Sequence, residues 1–266
     1  MALISAITTC KGRLEHLKAT LPALMAVPGL EVVVVDYDCP DHAGDWVRAT
    51  WPRARVVAVT DRPWFNRSEA KNLGAAAAGG DWLFFIDADI RIGEGFMQGV
   101  RDLLRPDVFL LADPRPADLW GALVVARADF EAVGGYDEAM EDYGSEDVDI
   151  LGRLMIAGVK EAGFPSQALT AIPHDQALRT RFHAQADIEL TASINGFYRV
   201  AKGDLIRQGL VLDLDARRAL YANVRRAFAT PAGARSFQIA FRQSLVPGLA
   251  VNAILHYDLT PTPPGA

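Results

Sequence analysis

The stretch Trp82-Leu83-Phe84-Phe85-Ile86-Asp87-Ala88-Asp89 decides the fold. Five apolar residues in a row run straight into two carboxylates one residue apart. A run this short and aromatic reads as a strand buried on both faces. Carboxylates inside such a strand would cost on the order of several kcal/mol unless paired or bound to a cation. Asp87 and Asp89 therefore belong at its C-terminal end, in the crevice where open α/β sheets bind ligands. In extended backbone, residues two apart point to the same side, so both carboxylates can meet one divalent cation. Oxygen donors of this kind suit Mg²⁺ or Mn²⁺. A polar turn after a strand is the plainer reading, and a lone Asp-x-Asp does not choose between the two.

Upstream, Leu3 to Thr9 reads as a first strand, followed by the polar elbow Thr8-Thr9-Cys10-Lys11-Gly12-Arg13. Leu14, Leu17, Leu21, Leu24 and Met25 recur at helical spacing up to Pro28-Gly29. Glu31 to Val35 is a second buried strand closed by Asp36, so the three elements form a right-handed βαβ unit. A helix over residues 44–49 and a strand over 54–59 make another unit. Asn66-Arg67-Ser68 can cap the next helix, which carries Arg67, Lys71 and Asn72 near its start and an alanine run to Ala78. The pattern β-α-β-α-β-α-β up to Asp89 predicts a mostly parallel sheet.

Downstream, the pattern predicts a helix over 96–104, a strand over 108–112, an apolar strand over 120–126 and a short helix over 128–133 ended by Gly134-Gly135. Glu141 to Asp149 then holds five acids in nine residues and leads into a helix over 148–157. An exposed acidic helix start would account for that composition. Gly144, between Tyr143 and Ser145, instead implies a close approach of backbone to something. Glu146 and Asp147 are adjacent, point different ways and can take different roles, and a held carboxylate is what a general base requires. A last strand over 168–172 leads to Pro173-His174. His183, nine residues on, competes with His174 as a ligand, and a lone histidine is more often structural. Beyond Asp187 the pattern predicts helices over 188–201, 215–229 and 234–245, with Arg217, Arg218, Arg225 and Arg226 between apolar positions. Residues 187–266 are expected as an extension packed on a core of residues 1–186, with a frayed tail from about Thr260.

The 266 residues carry a formal net charge of -6, without a dense Lys/Arg face, which argues against a nucleic-acid partner. Cys10 and Cys39 are not at zinc-ligand spacing and do not make a secreted disulfide framework. No apolar run approaches the roughly 20 residues of a membrane span, and no signal sequence opens the chain. A cytoplasmic protein is expected, with contact at the inner face of a membrane left open. The arginines of the C-terminal segment either cover the core or bind a partner or an anionic surface.

Three stretches together resemble one family. Phe65-Asn66-Arg67 with Lys71-Asn72-Leu73-Gly74, Asp87-Ala88-Asp89, and Trp120-Gly121 through Gly134-Gly135-Tyr136-Asp137-Glu138 to Tyr143-Gly144-Ser145-Glu146-Asp147-Val148-Asp149 resemble GT-A-fold glycosyltransferases. The likeness, over approximately residues 3 to 183, is to bacterial family 2 enzymes and the β-1,4-galactosyltransferase group. Beside the helical C-terminal appendage expected above, it implies an α/β fold with a mostly parallel sheet flanked by helices, and transfer of a sugar from a nucleotide-sugar donor, UDP favoured, to a hydroxyl of a glycan or other acceptor. It further implies a Mn²⁺ (or Mg²⁺) site at Asp87, Asp89 and His174. Asp147 would be the base, and Glu146 would hold sugar hydroxyls. Thr8, Arg13, Asp36 and Arg67 would contact the uridine end, with Lys71 and Asp87 lining the same pocket. Tyr143 and Ser145 stand where the family has tryptophan and glycine, and Pro173 and Asp175 flank the histidine differently from the animal enzymes. Direct displacement with inversion is the mechanism this implies. A sugar nucleotidyltransferase ranks lower, since Cys10-Lys11-Gly12-Arg13 is too poor in glycine for its phosphate loop. A non-catalytic scaffold on the same fold is the remaining alternative.

Overall fold

The computed structural model of the chain describes residues 2–229, 235–246 and 249–259. In chain order the elements are β1 (Ile4–Cys10), α1 (Leu14–Met25), β2 (Leu30–Tyr37), α2 (Ala43–Thr50), β3 (Arg55–Val59), α3 (Arg67–Ala77), β4 (Trp82–Phe85), β5 (Ile90–Ile92), α4 (Phe96–Leu103) and β6 (Val108–Asp113). There follow β7 (Leu123–Ala126), α5 (Arg127–Ala132), α6 (Glu146–Ile156), β8 (Lys160–Pro165), β9 (Leu169–Ala171), α7 (Gln176–Thr180), α8 (Ile188–Arg207), α9 (Leu214–Phe228), β10 (Arg235–Val246) and β11 (Leu249–Leu259). The main sheet has the order β3-β2-β1-β4-β7-β6-β8. It is mostly parallel, and β7 runs antiparallel to both of its neighbours. The chain steps outward from β1 through β2 to β3, then returns to place β4 on the other side of β1. The ends of β1 and β4 thus flank the point where strand order reverses, which is where such sheets bind ligands.

Strand β4 is buried on both faces, as its composition requires. Phe84 packs with α1 and α4 residues such as Leu17, Leu21 and Phe96. Leu83 and Phe85 pack on the opposite side with Ala75, Phe130, Ile150 and Leu154. Helix α3 lies very close to the sheet. A Cβ on Gly74 would sit 2.4 Å from Ile7 Cγ2 and 3.0 Å from Val35 Cγ2, so glycine there sets the helix–sheet distance. The Arg127 guanidinium closes the C-terminal end of α3 on the carbonyls of Ala75, Ala78 and Gly80.

Three expectations are corrected. Residues 234–245, expected helical, lie largely in β10, which pairs antiparallel with β11. Phe237, Ile239 and Phe241 alternate with polar or small residues and pack on α8 and α9, so a period of two prevails over the helical reading. The strand expected over 168–172 is β9, and it pairs with β5 rather than extending the main sheet. The strand expected from Trp120 begins at Leu123, after a 3₁₀ turn at Ala117–Leu119. The tail from Thr260 lies outside the described residues. Among the described residues, no helix is long and apolar enough to cross a membrane.

The C-terminal helices meet the core through buried charge. Lys202, 1% exposed, lies between Asp137 and Asp149, with Asp149 Oδ1 at 2.6 Å. Arg217 reaches Asp137 at 3.0 Å, and the Tyr198 hydroxyl donates to the same carboxylate at 2.7 Å. Arg225 pairs with Glu141. Two of the arginines noted in the sequence thus face the acidic segment. Burial alone would raise the Asp137 carboxyl, but Lys202 and Arg217 hold it below the usual range. Removing Lys202 leaves two buried carboxylates short of a cation. Lys202→Met is expected to cost about 3 kcal/mol, at the low end for breaking a buried pair because Arg153 and Arg217 remain. Denaturant unfolding checks this, and a midpoint equal to wild type would refute it.

Candidate active site

A cleft of about 410 Å³ opens at the ends of β1 and β4. Thr9, Lys11 and Arg13 form one wall, Asp87 and Asp89 the floor, Tyr143 and Asp147 the far wall, and residues from Pro173 to His183 the cover. Asp87 and Asp89 do not reach the cleft by strand alternation. Strand β4 ends at Phe85, and the two sit in a tight turn closed by Ile90 N–H on Asp87 O at 3.0 Å. Asp87 packs on Gly121, where a Cβ would lie 2.1 Å from Asp87 Oδ2. Asp89 Oδ2 is 3.3 Å from both Arg13 Nη1 and His174 Nδ1. Burial, then repulsion from Asp87, pushes the Asp89 carboxyl up against the pull of Arg13 and His174. Two acidic groups with hard oxygen donors, whose mutual repulsion Arg13 and His174 only partly offset, fit a divalent cation. Among the described residues, no ready-made group of three metal-binding side chains is gathered. Both nitrogens of His174 are engaged, Nδ1 with Asp89 and Nε2 accepting from Arg179 Nε at 3.3 Å. His183 lines the same cleft on the Arg67 side, its Nε2 3.4 Å from Arg67 Nη2. Burial and then Arg67 press its pKa down to about 4, so it is neutral near pH 7.

The far wall is built by α6 and fastened by α3. Arg67 and Lys71 stand one helical turn apart on α3, and their partners are adjacent on α6. Arg67 Nη1 meets Glu146 Oε1 at 2.8 Å, and Lys71 Nζ meets Asp147 Oδ1 at 2.7 Å. Burial would raise Glu146, but Arg67 and Lys71 outweigh it and hold the carboxyl low. Burial prevails at Asp147, with repulsion from Glu146 and Asp87 added, and lifts it to about 6 despite Lys71. The segment before them is held in a contorted path, with Asp142, Gly144 and Ser145 at φ values of 61°, 93° and 72°. Gly144 is there for this conformation and not for a close approach, since a Cβ on it would meet nothing within 4 Å. Asn195 of α8 secures the segment by donating to the carbonyls of Glu141, Tyr143 and Gly144.

The remaining candidates divide. Arg13, Arg67 and Lys71 converge with the carboxylates, and Lys71 sits on Asp147 rather than standing free for a nucleotide. Thr8 is buried within β1, its hydroxyl without a partner among the described residues, and its neighbour Thr9 lines the cleft. Asp36 is occupied by the backbone N–H groups of Cys39 (2.9 Å) and Gly44 (2.7 Å), where it orders the loop after β2. Arg179 was not singled out in the sequence. It bridges His174 and the Tyr143 hydroxyl, the latter at 3.3 Å, and lies near enough to Arg13 to act on its charge. Its one sequence signal is Asp175, which caps α7 by accepting from Leu178 N–H at 2.8 Å.

Two family models match the chain on either side of this cleft. "Glycosyl transferase family 2" matches residues 5–107, and "N-terminal domain of galactosyltransferase" matches residues 117–176. The chain is a glycosyltransferase of the GT-A fold. Its structure is similar to the mannosyltransferase PcManGT from Pyrobaculum calidifontis in complex with GDP-Man and Mn²⁺ (TM-score 0.58, 17% identity, 87% of this chain and 76% of that one). It is also similar to a variant of Drosophila β1,4-galactosyltransferase 7 in complex with manganese, UDP-Gal and xylobiose (TM-score 0.50, 17% identity, 71% and 79%). In sequence it matches human chondroitin sulfate synthase 3 at 24% identity over 140 residues, 41% of this chain and 16% of that protein's length. The first model covers the Asp87–Asp89 turn of this glycosyltransferase and α3, and the second covers Glu146, Asp147 and His174.

Gly121→Ala tests the floor. The added methyl must displace the Asp87 carboxylate, and a shift of about 1 Å in a site costs up to about 10²-fold. Mn²⁺-dependent nucleotide affinity, measured by calorimetry, is expected to fall on the order of tenfold or more with an unchanged circular dichroism spectrum. Unaltered affinity would show that Asp87 takes no part.

Proposed function

We propose that this glycosyltransferase moves a sugar from a UDP-sugar to a hydroxyl of a glycan or other acceptor, in a metal-dependent reaction that inverts the anomeric centre. The observation that carries the reading is Asp147. It lines the cleft across from the Asp87–Asp89 turn, its Oδ1 is fixed by Lys71, and its pKa of about 6 suits a base working near neutral pH. With Oδ1 held, Oδ2 takes the proton from the acceptor hydroxyl as that oxygen attacks the anomeric carbon and the bond to the diphosphate breaks. Glu146, kept ionised by Arg67, is suited to accept hydrogen bonds from sugar hydroxyls. A single displacement on the face opposite the leaving group inverts the centre.

The leaving diphosphate gathers negative charge, and Arg13 and Arg179 face the place where it would develop. Asp87, Asp89 and His174 are the residues that would hold a divalent cation, Mn²⁺ or Mg²⁺, which supplies charge neutralisation to the diphosphate. Charge balance supports this need. Arg13, Arg67 and Lys71 are already matched by carboxylates, and Arg179 bonds to His174 and Tyr143, so a diphosphate would enter with little free counter-charge. Both structural neighbours hold a nucleotide-sugar with manganese, in one case UDP-Gal. Uridine is further favoured by the likeness of the Phe65-Asn66-Arg67 segment. Polysaccharide synthesis in the cytoplasm, at or near the inner membrane face, is the setting this reading implies.

Asp147→Asn is expected to lower transfer by on the order of 10²–10⁴-fold while UDP affinity stays within about threefold. Transfer at the wild-type rate would refute the base assignment. The pH profile of kcat/KM should rise as Asp147 loses its proton, with an acid limb near 6. Lys71 lowers that pKa, so Lys71→Met should move the limb to higher pH. A limb that stays in place, or moves down, would assign the titration to another group.

A further inference from the structure

Behind the elbow that carries Lys11 and Arg13 into the cleft lies a pair of thiols that the transfer chemistry does not use. Cys10 closes β1, Cys39 follows β2, and both are free thiols. Their sulfurs are 3.9 Å apart. The two are unlike in surroundings. Cys10 is fully buried, and Cys39 is 7% exposed. Cys39 Sγ accepts from Gly12 N–H at 3.2 Å. The bond from Cys10 first, and backbone N–H groups after it, draw the Cys39 thiol down to about 6. The same bond and burial push Cys10 well up. A thiolate is the reactive form, so Cys39 is the attacking sulfur and Cys10 the resolving one.

We propose that Cys10 and Cys39 form a reversible intramolecular disulfide under peroxide, and that the bond weakens nucleotide binding in the adjacent cleft. The Cys39 thiolate attacks one peroxide oxygen, the O–O bond breaks, and hydroxide leaves to give a sulfenic acid. The Cys10 sulfur then attacks the Cys39 sulfur. The S–O bond breaks and the departing hydroxyl takes the Cys10 proton as water. Overall two thiols lose two electrons and two protons, and one peroxide becomes two waters.

The coupling to the cleft follows from how tightly the elbow is held. A disulfide draws the sulfurs from 3.9 Å to about 2.05 Å. The Cys39 sulfur then leaves the Gly12 N–H, a buried donor that loses its acceptor. The elbow has no slack to absorb this. A Cβ on Gly12 would lie 2.2 Å from the Phe182 ring, and Lys11 Nζ is tied to the carbonyls of Tyr37, Asp38 and Arg62 at 3.2, 2.8 and 2.7 Å. The displacement passes to Arg13, which pairs with Asp89 on the cleft floor. The effect on binding rests on the donor site proposed above, whereas bond formation does not.

The test uses the full chain, reduced and then treated with hydrogen peroxide. Intact mass should fall by two hydrogens, and a digest should yield one peptide pair joining Cys10 to Cys39. UDP affinity with Mn²⁺, measured on the same samples, should weaken on the order of tenfold as Arg13 and its partner Asp89 are displaced on the cleft floor, and dithiothreitol should restore it. Cys10→Ser should leave a sulfenic acid on Cys39 that dimedone traps, and Cys39→Ser should abolish both products. If either variant fails to fold, the wild-type mass and peptide map still decide. Two titratable thiols after peroxide, or oxygen added without a cross-link, would overturn the disulfide. A cross-link with unchanged affinity would overturn the coupling. Failure of the reduced protein to bind nucleotide would count against the donor site, with the mass readout still deciding the bond.

Discussion

The cleft depends on one interaction, the clamp between helix α3 and the segment from Tyr136 to Asp147. Asn66 caps α3 through Glu69 N–H and turns its amide to the carbonyls of Glu138 and Met140. Next to it Arg67 reaches Glu146, and one turn on Lys71 reaches Asp147. Asn72 then exchanges two hydrogen bonds with the Tyr136 backbone and donates to the Glu138 carboxylate. Four side chains on two turns thus hold the irregular chain from Tyr136 to Ser145 and the start of α6. Gly74, on the same helix, brings α3 against β1 and β2, so the clamp takes its position from the sheet. Without these partners, the acidic segment would carry buried carboxylates at prohibitive cost.

The C-terminal helices act on the same segment from behind. Asn195 satisfies three of its carbonyls, and Tyr221 in turn donates to Asn195 Oδ1 at 2.8 Å. Lys202 joins Asp137, at one end of the segment, to Asp149, in the first turn of α6. The loop with three positive-φ residues is therefore held on both sides. A base that must be placed to within a fraction of an ångström needs such support. It also explains why the region beyond residue 187 cannot be regarded as an independent appendage in energetic terms. Its buried ions are shared with the helix that bears Glu146 and Asp147.

Much of this was legible in the sequence, for identifiable reasons. Strand β4 declares itself because a doubly buried strand must be apolar throughout and must expel its carboxylates to its end. The parallel half follows from short apolar runs that alternate with segments of helical period. Strand β8 escaped because Lys160-Glu161-Ala162-Gly163-Phe164-Pro165 lies at the sheet edge, with one deeply buried side chain and no alternation to notice. The C-terminal hairpin was misread because its arginine and glutamine spacing also suits a helix, and only packing on Phe197 and its neighbours selects the strand. In the cleft, residue types were legible and pairings were not. That Lys71 belongs to Asp147, or Arg13 to Asp89, arises from segments 76 residues apart meeting in space, which no local pattern encodes.

The two adjacent acids show how one fold separates the properties of identical chemical groups. Glu146 and Asp147 share the same helix turn, and burial pushes both carboxyls up. Glu146 faces the guanidinium of Arg67, which is charged at any pH of interest and can be shared by more than one bond. Its carboxyl stays low. Asp147 faces a single ammonium and stands nearer in effect to Asp87, and its carboxyl rises to about 6. Repulsion between the two acids sharpens the division, because the ionised state of Glu146 is one of the causes that raise Asp147. One carboxyl is thus held low and its neighbour lifted to about 6, the kind of separation by which paired acids can take different roles.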